Sequence, residues 1–113
     1  MRITRIEAAP AYHPPKHQGV DCKRLQGHEA GETSRFWTGL STYAPGGAAE
    51  LSPVASETIY TLIEGELTLI SEGREDVLKP YDSVHLIKGE VRALENRSAR
   101  PAILLVAIAY PEA

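Results

Sequence analysis

The sequence predicts an all-β fold, either a sandwich or a barrel, on three observations. Short aromatic or β-branched stretches recur along the 113-residue chain. Segments rich in Gly, Pro, Asp and Asn, which favour turns, separate them at intervals of roughly ten residues. No stretch shows a convincing helical period. Short strands joined by frequent turns are typical of sandwiches and barrels.

The predicted elements follow one another along the chain. Residues 1 to about 30 include "AAPAYHPPKHQGVD" and are expected to be an extended arm, because prolines and glycine interrupt regular structure. "SRFWTGLSTY" is then expected as a strand, "ETIYTLIEGELTLISEG" as two strands around Gly65, "SVHLI" as a short strand and residues 102–110 as a buried one. The predicted turns are "APGG", "SEGRED", "LKPYD", "IKGE" and "ENRSARP".

This order gives an N-terminal arm, residues 1–30, and a single barrel domain, residues 31–113. The arm is expected to cover a sheet edge or to contact a partner, because unprotected edges invite aggregation. A homodimer is therefore predicted, formed by the arm and one outer sheet face. The alternative is a monomer whose arm folds back on its own sheet.

Composition narrows the function classes. A net charge of -3 gives no basic patch for nucleic acid or for an anionic membrane. Cys22 is the only cysteine, so an intramolecular disulfide and a thiolate metal cluster are both excluded. The N-terminus lacks the apolar run of a signal peptide, and the nine residues "AILLVAIAY" are too few to span a bilayer. A cytoplasmic protein is predicted.

Two glycine-framed segments carry a family resemblance. In the first, Gly46 and Gly65 enclose a strand and two turns, and in the second, Gly89 precedes Asn96. These frames resemble the two motifs of the cupin superfamily, whose fold is a double-stranded β-helix or jelly-roll barrel. The resemblance covers residues 36–110 and implies a small single-domain cupin of the conserved-barrel type.

The same resemblance implies a metal site, but its ligand positions are substituted. The two histidine positions of the first motif are Ser52 and Val54, and its glutamate position is Thr58. In the second motif, Tyr81 replaces a glycine, Ile87 replaces the proline, and Arg92 stands at the histidine position. A hydroxyl is a weak ligand and a guanidinium is a fixed cation. No metal and no other cofactor are therefore expected.

Arg92 is instead the centre of a predicted anion site. A buried arginine needs an anionic or hydrogen-bonding partner, and Glu57, Glu95, a backbone carbonyl or a bound anion are the alternatives. Its guanidinium is suited to binding a carboxylate with two parallel hydrogen bonds. The other residues expected to line the site are Ser52, Thr58, Tyr60, Asn96 and either Trp37 or Phe36.

Three functions are compatible with this pattern. The first is a metal-free barrel that binds a small carboxylate-like anion as a sensor or carrier. The second is a metal-independent isomerase, epimerase or lyase, with Tyr60 or Glu57 as the acid or base. The third is a metal-dependent cupin enzyme, which the substitutions disfavour.

The four histidines are expected to lie outside the site. His13 and His17 lie in the proline-rich arm and are predicted to be solvated, and His28 lies in a loop. His85 alternates with two apolar neighbours in "SVHLI", which places it on the outer face or in a subunit interface.

Overall fold

A computed structural model of the chain describes residues 1–112, and it confirms an all-β barrel. The strands are β1 (Ala11–Tyr12), β2 (His17–Gln26), β3 (Phe36–Pro53), β4 (Thr58–Glu64), β5 (Leu67–Ser71), β6 (Arg74–Leu78), β7 (Ser83–Leu86), β8 (Val91–Glu95) and β9 (Ala102–Ala109). Two single-turn 3₁₀ helices, Ile6–Ala8 and His28–Ala30, complete the secondary structure. In the described part of the chain, no helix has the length and apolarity to cross a bilayer.

All strand pairs are antiparallel, in the order β6-β5-β8-β3-β9-β4-β7, with β2 paired to β3 and β1 paired to β2. The long strand β3 connects the two halves of the barrel. Its first part, 36–43, pairs with β9, and its last part, 48–53, pairs with β8. This strand allows one continuous sheet to wrap into a jelly roll.

The turn predicted at "APGG" is wrong, because these residues lie inside β3. Gly46 has φ +82, a left-handed conformation that bends the strand without ending it. Gly47 packs so closely on β2 that a Cβ there would lie 2.4 Å from the Gly19 carbonyl oxygen. Two adjacent glycines therefore allow β3 to bend while its pairing continues.

The N-terminal arm is also corrected. Residues 17–26 form a ten-residue strand of the barrel sheet rather than part of an extended arm. The prolines that indicated an arm are confined to the segment before β2, and Lys16 has φ +61 where the chain turns into the strand. The dimer contact expected of this region stays a prediction.

Side chains alternate between the inner and the outer face along each strand, as expected for a sheet with one buried face. On β3, Trp37, Ser41 and Tyr43 point inward, whereas Phe36 is exposed on the outer face. This settles the choice between Trp37 and Phe36. On β4 the inward set is Thr58, Tyr60 and Leu62, and β9 contributes Ala102, Leu104 and Val106.

Candidate functional site

The interior of the barrel holds a cavity of about 520 Å³, here called the lumen. It is bounded by β1–β4, β8, β9 and the 3₁₀ turn at His28. Exposed residues such as His13 belong to its lining, so it opens to solvent on that side. Its polar and aromatic lining residues are Tyr12, His13, His17, Arg24, His28, Trp37, Ser41, Tyr43, Ser56, Thr58, Tyr60, Arg92 and Tyr110.

Arg92 lies in the lumen and is only 9% exposed. Strand β8 places it beside Ser52 of β3. Its Nε donates a hydrogen bond to the Tyr60 hydroxyl at 2.9 Å, and its Nη1 donates to the Ser52 hydroxyl at 3.1 Å and to the Glu50 carbonyl at 3.2 Å. Within residues 1–112, no hydrogen bond from Nη2 and no carboxylate within 4.0 Å of the guanidinium are found.

The lumen is therefore electropositive. Among the described residues that line it there is no aspartate or glutamate, but there are two arginines. The second, Arg24, is paired with Glu29 at 3.1 Å, while Arg92 keeps its full charge. Burial without an opposite charge is costly for a cation, so this arrangement favours an anion in the cavity.

Aromatic rings form a second part of the lining, here called the aromatic wall: Tyr12, Trp37, His28 and Tyr110. The guanidinium of Arg24 lies 3.7 Å from the Tyr12 ring centre and 4.3 Å from that of Trp37. The His28 ring packs edge-on against Trp37 at 5.3 Å and against Tyr110 at 5.2 Å. The Tyr110 hydroxyl is within 2.8 Å of the Thr33 hydroxyl. These contacts hold the rings rigidly before any ligand binds.

His17 has the environment of a neutral imidazole. Its Nδ1 lies 2.8 Å from the Pro15 carbonyl oxygen, which can only accept a hydrogen bond. Burial lowers the pKa of His17 and the positive charge of Arg92 lowers it further, against a rise from the Pro15 hydrogen bond. Burial also raises the pKa of Tyr12 and of Tyr43, so both phenols stay protonated.

Four predicted site residues line the lumen together: Trp37, Thr58, Tyr60 and Arg92. Ser52 does not line the lumen, but its hydroxyl accepts a hydrogen bond from Arg92. Asn96 is a correction, because it lies outside the lining and is 1% exposed. Its amide donates to the carbonyls of Tyr43 and Arg100, which explains its burial as a structural brace.

Glu57 is a second correction. It is exposed outside the lumen, where Oε2 lies 2.6 Å from His85 Nε2. Alternation along the chain sends Glu57 outward because its neighbour Thr58 points inward. It is therefore not an ion-pair partner of Arg92, although that guanidinium does donate to one backbone carbonyl, that of Glu50. His85 faces outward as predicted.

The N-terminal segment contributes to the lumen, which its sequence does not indicate. His13, His17 and His28 were expected to be solvated or in loops, yet all three belong to the lining. Prolines surround His13 and His17, so this stretch looks irregular in sequence. The pairing of β2 with β3 involves residues about 30 positions further along the chain. The only available signal was "HQGVDCKRLQ", which has weak alternation.

The four positions where cupins carry metal ligands do not fit a metal ion here. Arg92 and the hydroxyl of Ser52 bond to each other, and the Thr58 hydroxyl donates to the Ser56 carbonyl at 2.9 Å. Val54 offers no donor atom. No cluster of three or more His, Cys, Asp or Glu side chains suited to a metal ion occurs in residues 1–112.

A second cleft, of about 570 Å³, lies on the open side of the sheet between β6 and β7, here called the seam cleft. Its lining contains the carboxylates that the lumen lacks: Glu72, Asp76, Asp82 and Glu90. Three of them are already engaged. Asp82 accepts from the Lys79 amide at 2.8 Å, Glu90 accepts from the Ile87 amide at 2.9 Å, and Asp76 pairs with Arg74 at 2.8 Å.

Comparison with known proteins gives one curated relative and several similar structures. No protein-family profile matches the chain. The protein named Beta-D-galactosidase Rv1717 of Mycobacterium tuberculosis is 52% identical over 113 residues, which is 100% of this chain and 97% of that protein.

Two solved structures show the same fold at low sequence identity. The polyketide cyclase RemF of Streptomyces resistomycificus superposes with a TM-score of 0.85 at 17% identity, over 96% of this chain and 79% of that one. A sugar phosphate isomerase of the cupin superfamily from Silicibacter pomeroyi gives 0.79 at 22% identity, over 94% and 74%. At these identities the likeness concerns the fold alone.

Proposed function

The chain belongs to the cupin superfamily, and from that premise we propose that its lumen binds a small organic anion through Arg92 without a metal ion. The observation that carries the proposal is the buried guanidinium with no carboxylate within 4.0 Å among residues 1–112. An uncompensated buried charge costs several kcal/mol, and a bound anion removes this cost. The same interaction then contributes directly to ligand affinity.

The remaining lining suggests what the anion looks like. Nη2 of Arg92 and the hydroxyl of Tyr60, which accepts from Arg92 Nε, can each donate a hydrogen bond to a carboxylate. A cavity of about 520 Å³ has the size of pockets for small organic molecules. Tyr12 and Trp37 also line the cavity, with their rings perpendicular and 5.5 Å apart, and can offer aromatic contacts to a ring of the ligand. A ring of sugar or aromatic size that carries a carboxylate satisfies all three features.

A matched pair of probes tests this proposal. D-Galacturonate and D-galactose share a ring and differ in the carboxylate, so the lumen is expected to bind the first and not the second. Trp37 is the only tryptophan and lines the lumen, so its fluorescence reports occupancy without a label. Calorimetry provides an independent affinity.

Two variants locate the binding site. Arg92→Gln is expected to abolish galacturonate binding. Arg97→Gln is the control, because Arg97 is an exposed arginine paired with Glu75 at 2.9 Å and lies outside the lining. Equal affinity for both sugars, or unchanged binding in Arg92→Gln, would reassign Arg92 to a structural role.

Hydrolysis of β-D-galactosides is the second candidate, favoured by the 52% identity to the mycobacterial protein of that name. Most glycosidases use two carboxyl groups beside the scissile bond, and none of the described lumen residues supplies one. A glycosidase that acts in the lumen must therefore use other acid and base groups there. Of the two predicted acid/base candidates, only Tyr60 lines it.

Release of p-nitrophenol from p-nitrophenyl β-D-galactoside tests the second candidate. Activity that is lost in Arg92→Gln but kept in Asp82→Asn places hydrolysis in the lumen. Activity with the opposite dependence places it in the seam cleft, which Asp82 lines. Binding of galacturonate without hydrolysis supports the anion-binding proposal alone.

A further inference from the structure

His17 is held rigidly at the start of β2. Its backbone pairs with Ala49 of β3, and the preceding residue, Lys16, has φ +61. The hydrogen bond from Nδ1 to the Pro15 carbonyl fixes the ring as well. A side chain fixed by both backbone pairing and a hydrogen bond is a suitable part of a binding site, because little freedom is lost when a ligand arrives.

The same hydrogen bond determines the tautomer. Since a carbonyl only accepts, Nδ1 carries the hydrogen, and in the neutral ring Nε2 carries a lone pair. No hydrogen bond to Nε2 occurs within residues 1–112. His17 lines the lumen, so this nitrogen is an acceptor without a protein partner in a cavity for small molecules.

The surroundings keep His17 uncharged. It is half-buried, and burial together with the charge of Arg92 lowers its pKa despite the bond to Pro15. The titratable lumen side chains on the facing strands are Tyr43 on β3, Tyr60 on β4 and Arg92 on β8. None of the described lining residues is a carboxylate that would stabilise a protonated His17. At neutral pH the lumen therefore places a cation and a neutral acceptor near each other.

We propose that His17 Nε2 accepts a hydrogen bond from a hydroxyl group of the ligand whose anionic group sits on Arg92, so that the site selects hydroxylated carboxylates such as sugar acids over plain carboxylates. This rests on the anion-binding function proposed above. The carboxylate of such a ligand accepts hydrogen bonds from Arg92, and a hydroxyl group of the same molecule donates one to His17 Nε2. The other two lumen histidines are placed differently: the His28 ring packs against Trp37 and Tyr110, and His13 is exposed at the opening of the cavity.

The test compares two carboxylates on six-membered rings. D-Galacturonate carries hydroxyl groups and cyclohexanecarboxylate carries none. His17→Phe keeps a ring but removes the acceptor, and His85→Phe is the matched control on the outer surface. Loss of one hydrogen bond is expected to weaken galacturonate binding roughly tenfold and to change cyclohexanecarboxylate binding less than about twofold.

The outcomes separate the proposal from the function on which it rests. An equal loss for both ligands, or no loss for either, contradicts the acceptor role of His17 while leaving anion binding intact. Tight binding of cyclohexanecarboxylate together with no binding of galacturonate also contradicts the acceptor role of His17 and leaves anion binding intact. Failure of both ligands to bind the unaltered protein overturns the anion-binding function and, with it, this inference.

Imidazole nitrogen NMR of the unaltered protein gives a second readout that needs no variant. At pH 7.5 the expected His17 signals are those of a protonated Nδ1 and an unprotonated Nε2, and galacturonate should shift the Nε2 signal. A charged ring or the opposite tautomer overturns the proposal even where His17→Phe fails to fold.

Discussion

Replacing Arg92 with methionine separates binding from stability. The substitution removes the charge and keeps an unbranched side chain of similar length in the lumen. If Arg92 is there to bind an anion, the variant protein should fold well and bind poorly. A structural arginine would show the reverse pattern, with an impaired fold and unchanged binding.

The expected change in stability follows from two opposing terms. The variant loses the hydrogen bonds to Tyr60, Ser52 and the Glu50 carbonyl, which at about 0.5–1.5 kcal/mol each contribute about 1.5–4.5 kcal/mol. It also removes a guanidinium that is 9% exposed and has no opposite charge, which relieves a cost of several kcal/mol. The two terms nearly cancel, so the free energy of unfolding should change by less than about 2 kcal/mol.

The expected change in affinity has no such compensation. Removing one partner of a buried ion pair costs about 3–5 kcal/mol, and each 1.4 kcal/mol is a factor of ten. Galacturonate affinity should therefore fall by two orders of magnitude or more. Urea denaturation followed by Trp37 fluorescence gives the first quantity, and calorimetry gives the second. Destabilisation above about 4 kcal/mol with unchanged affinity would refute the reasoning.

Three further predictions concern the fold and the pH dependence. Gly65 has φ +82 and a Cβ there would lie 2.6 Å from the Pro101 carbonyl oxygen, so Gly65→Ala should destabilise by about 3 kcal/mol or more in urea denaturation. Gly73→Ala, at φ +73 with nothing within 4 Å of the added atom, is the control and should cost about 1 kcal/mol. Asn96→Ala should lower the free energy of unfolding by about 2–4 kcal/mol, because the hydrogen bonds to Tyr43, Arg100 and Ser98 are lost. Calorimetry should nevertheless show a galacturonate affinity within twofold of that of the unaltered protein. A large loss of affinity would mean that Asn96 belongs to the binding site. Because folding lowers the pKa of His17, the unfolded chain binds a proton first as the pH falls through about 6.5, so the free energy of unfolding should decrease between pH 7 and pH 5. This decrease should be smaller in His17→Phe, and an identical pH dependence would contradict the burial of the ring.

Several strands were predictable because the local chemistry of these segments agrees with the global fold. Alternation around Thr58, Tyr60 and Leu62 indicated one inward face, and the structure buries all three. Gly65 marked a turn that its φ of +82 requires. Both signals lie within a few residues of the feature they predict, so a single sequence suffices to read them.

Features that depend on distant pairing were not predictable in this way. Gly46 looked like a turn residue, and only the pairing of β3 with two different partners shows that it bends a continuous strand. His17 looked like a solvated residue of the arm, and only the pairing of its strand with β3, where it faces Ala49, brings it to the lumen. Long-range antiparallel pairing leaves little trace in local composition.

The central residue of the candidate site, Arg92, was predictable from the sequence, whereas the aromatic wall as a whole was not. Arg92 stood out because a charge replaced a ligand inside a recognisable motif, whereas the aromatic wall has no motif of its own. Asn96 was expected to line the site with Arg92, and the structure buries it but outside the lining. Burial alone does not distinguish a residue that contacts a ligand from one that supports the fold. The hydrogen bonds of Asn96 to two backbone carbonyls give it a structural role.

The position of the bound carboxylate tests the central claim most directly. A crystal structure of the protein soaked with D-galacturonate should show the carboxylate within hydrogen-bond distance of the Arg92 guanidinium, with the sugar ring against Trp37. A sugar seated in the seam cleft beside Asp82, or a lumen in which a metal ion is coordinated while Arg92 points to solvent, would contradict it.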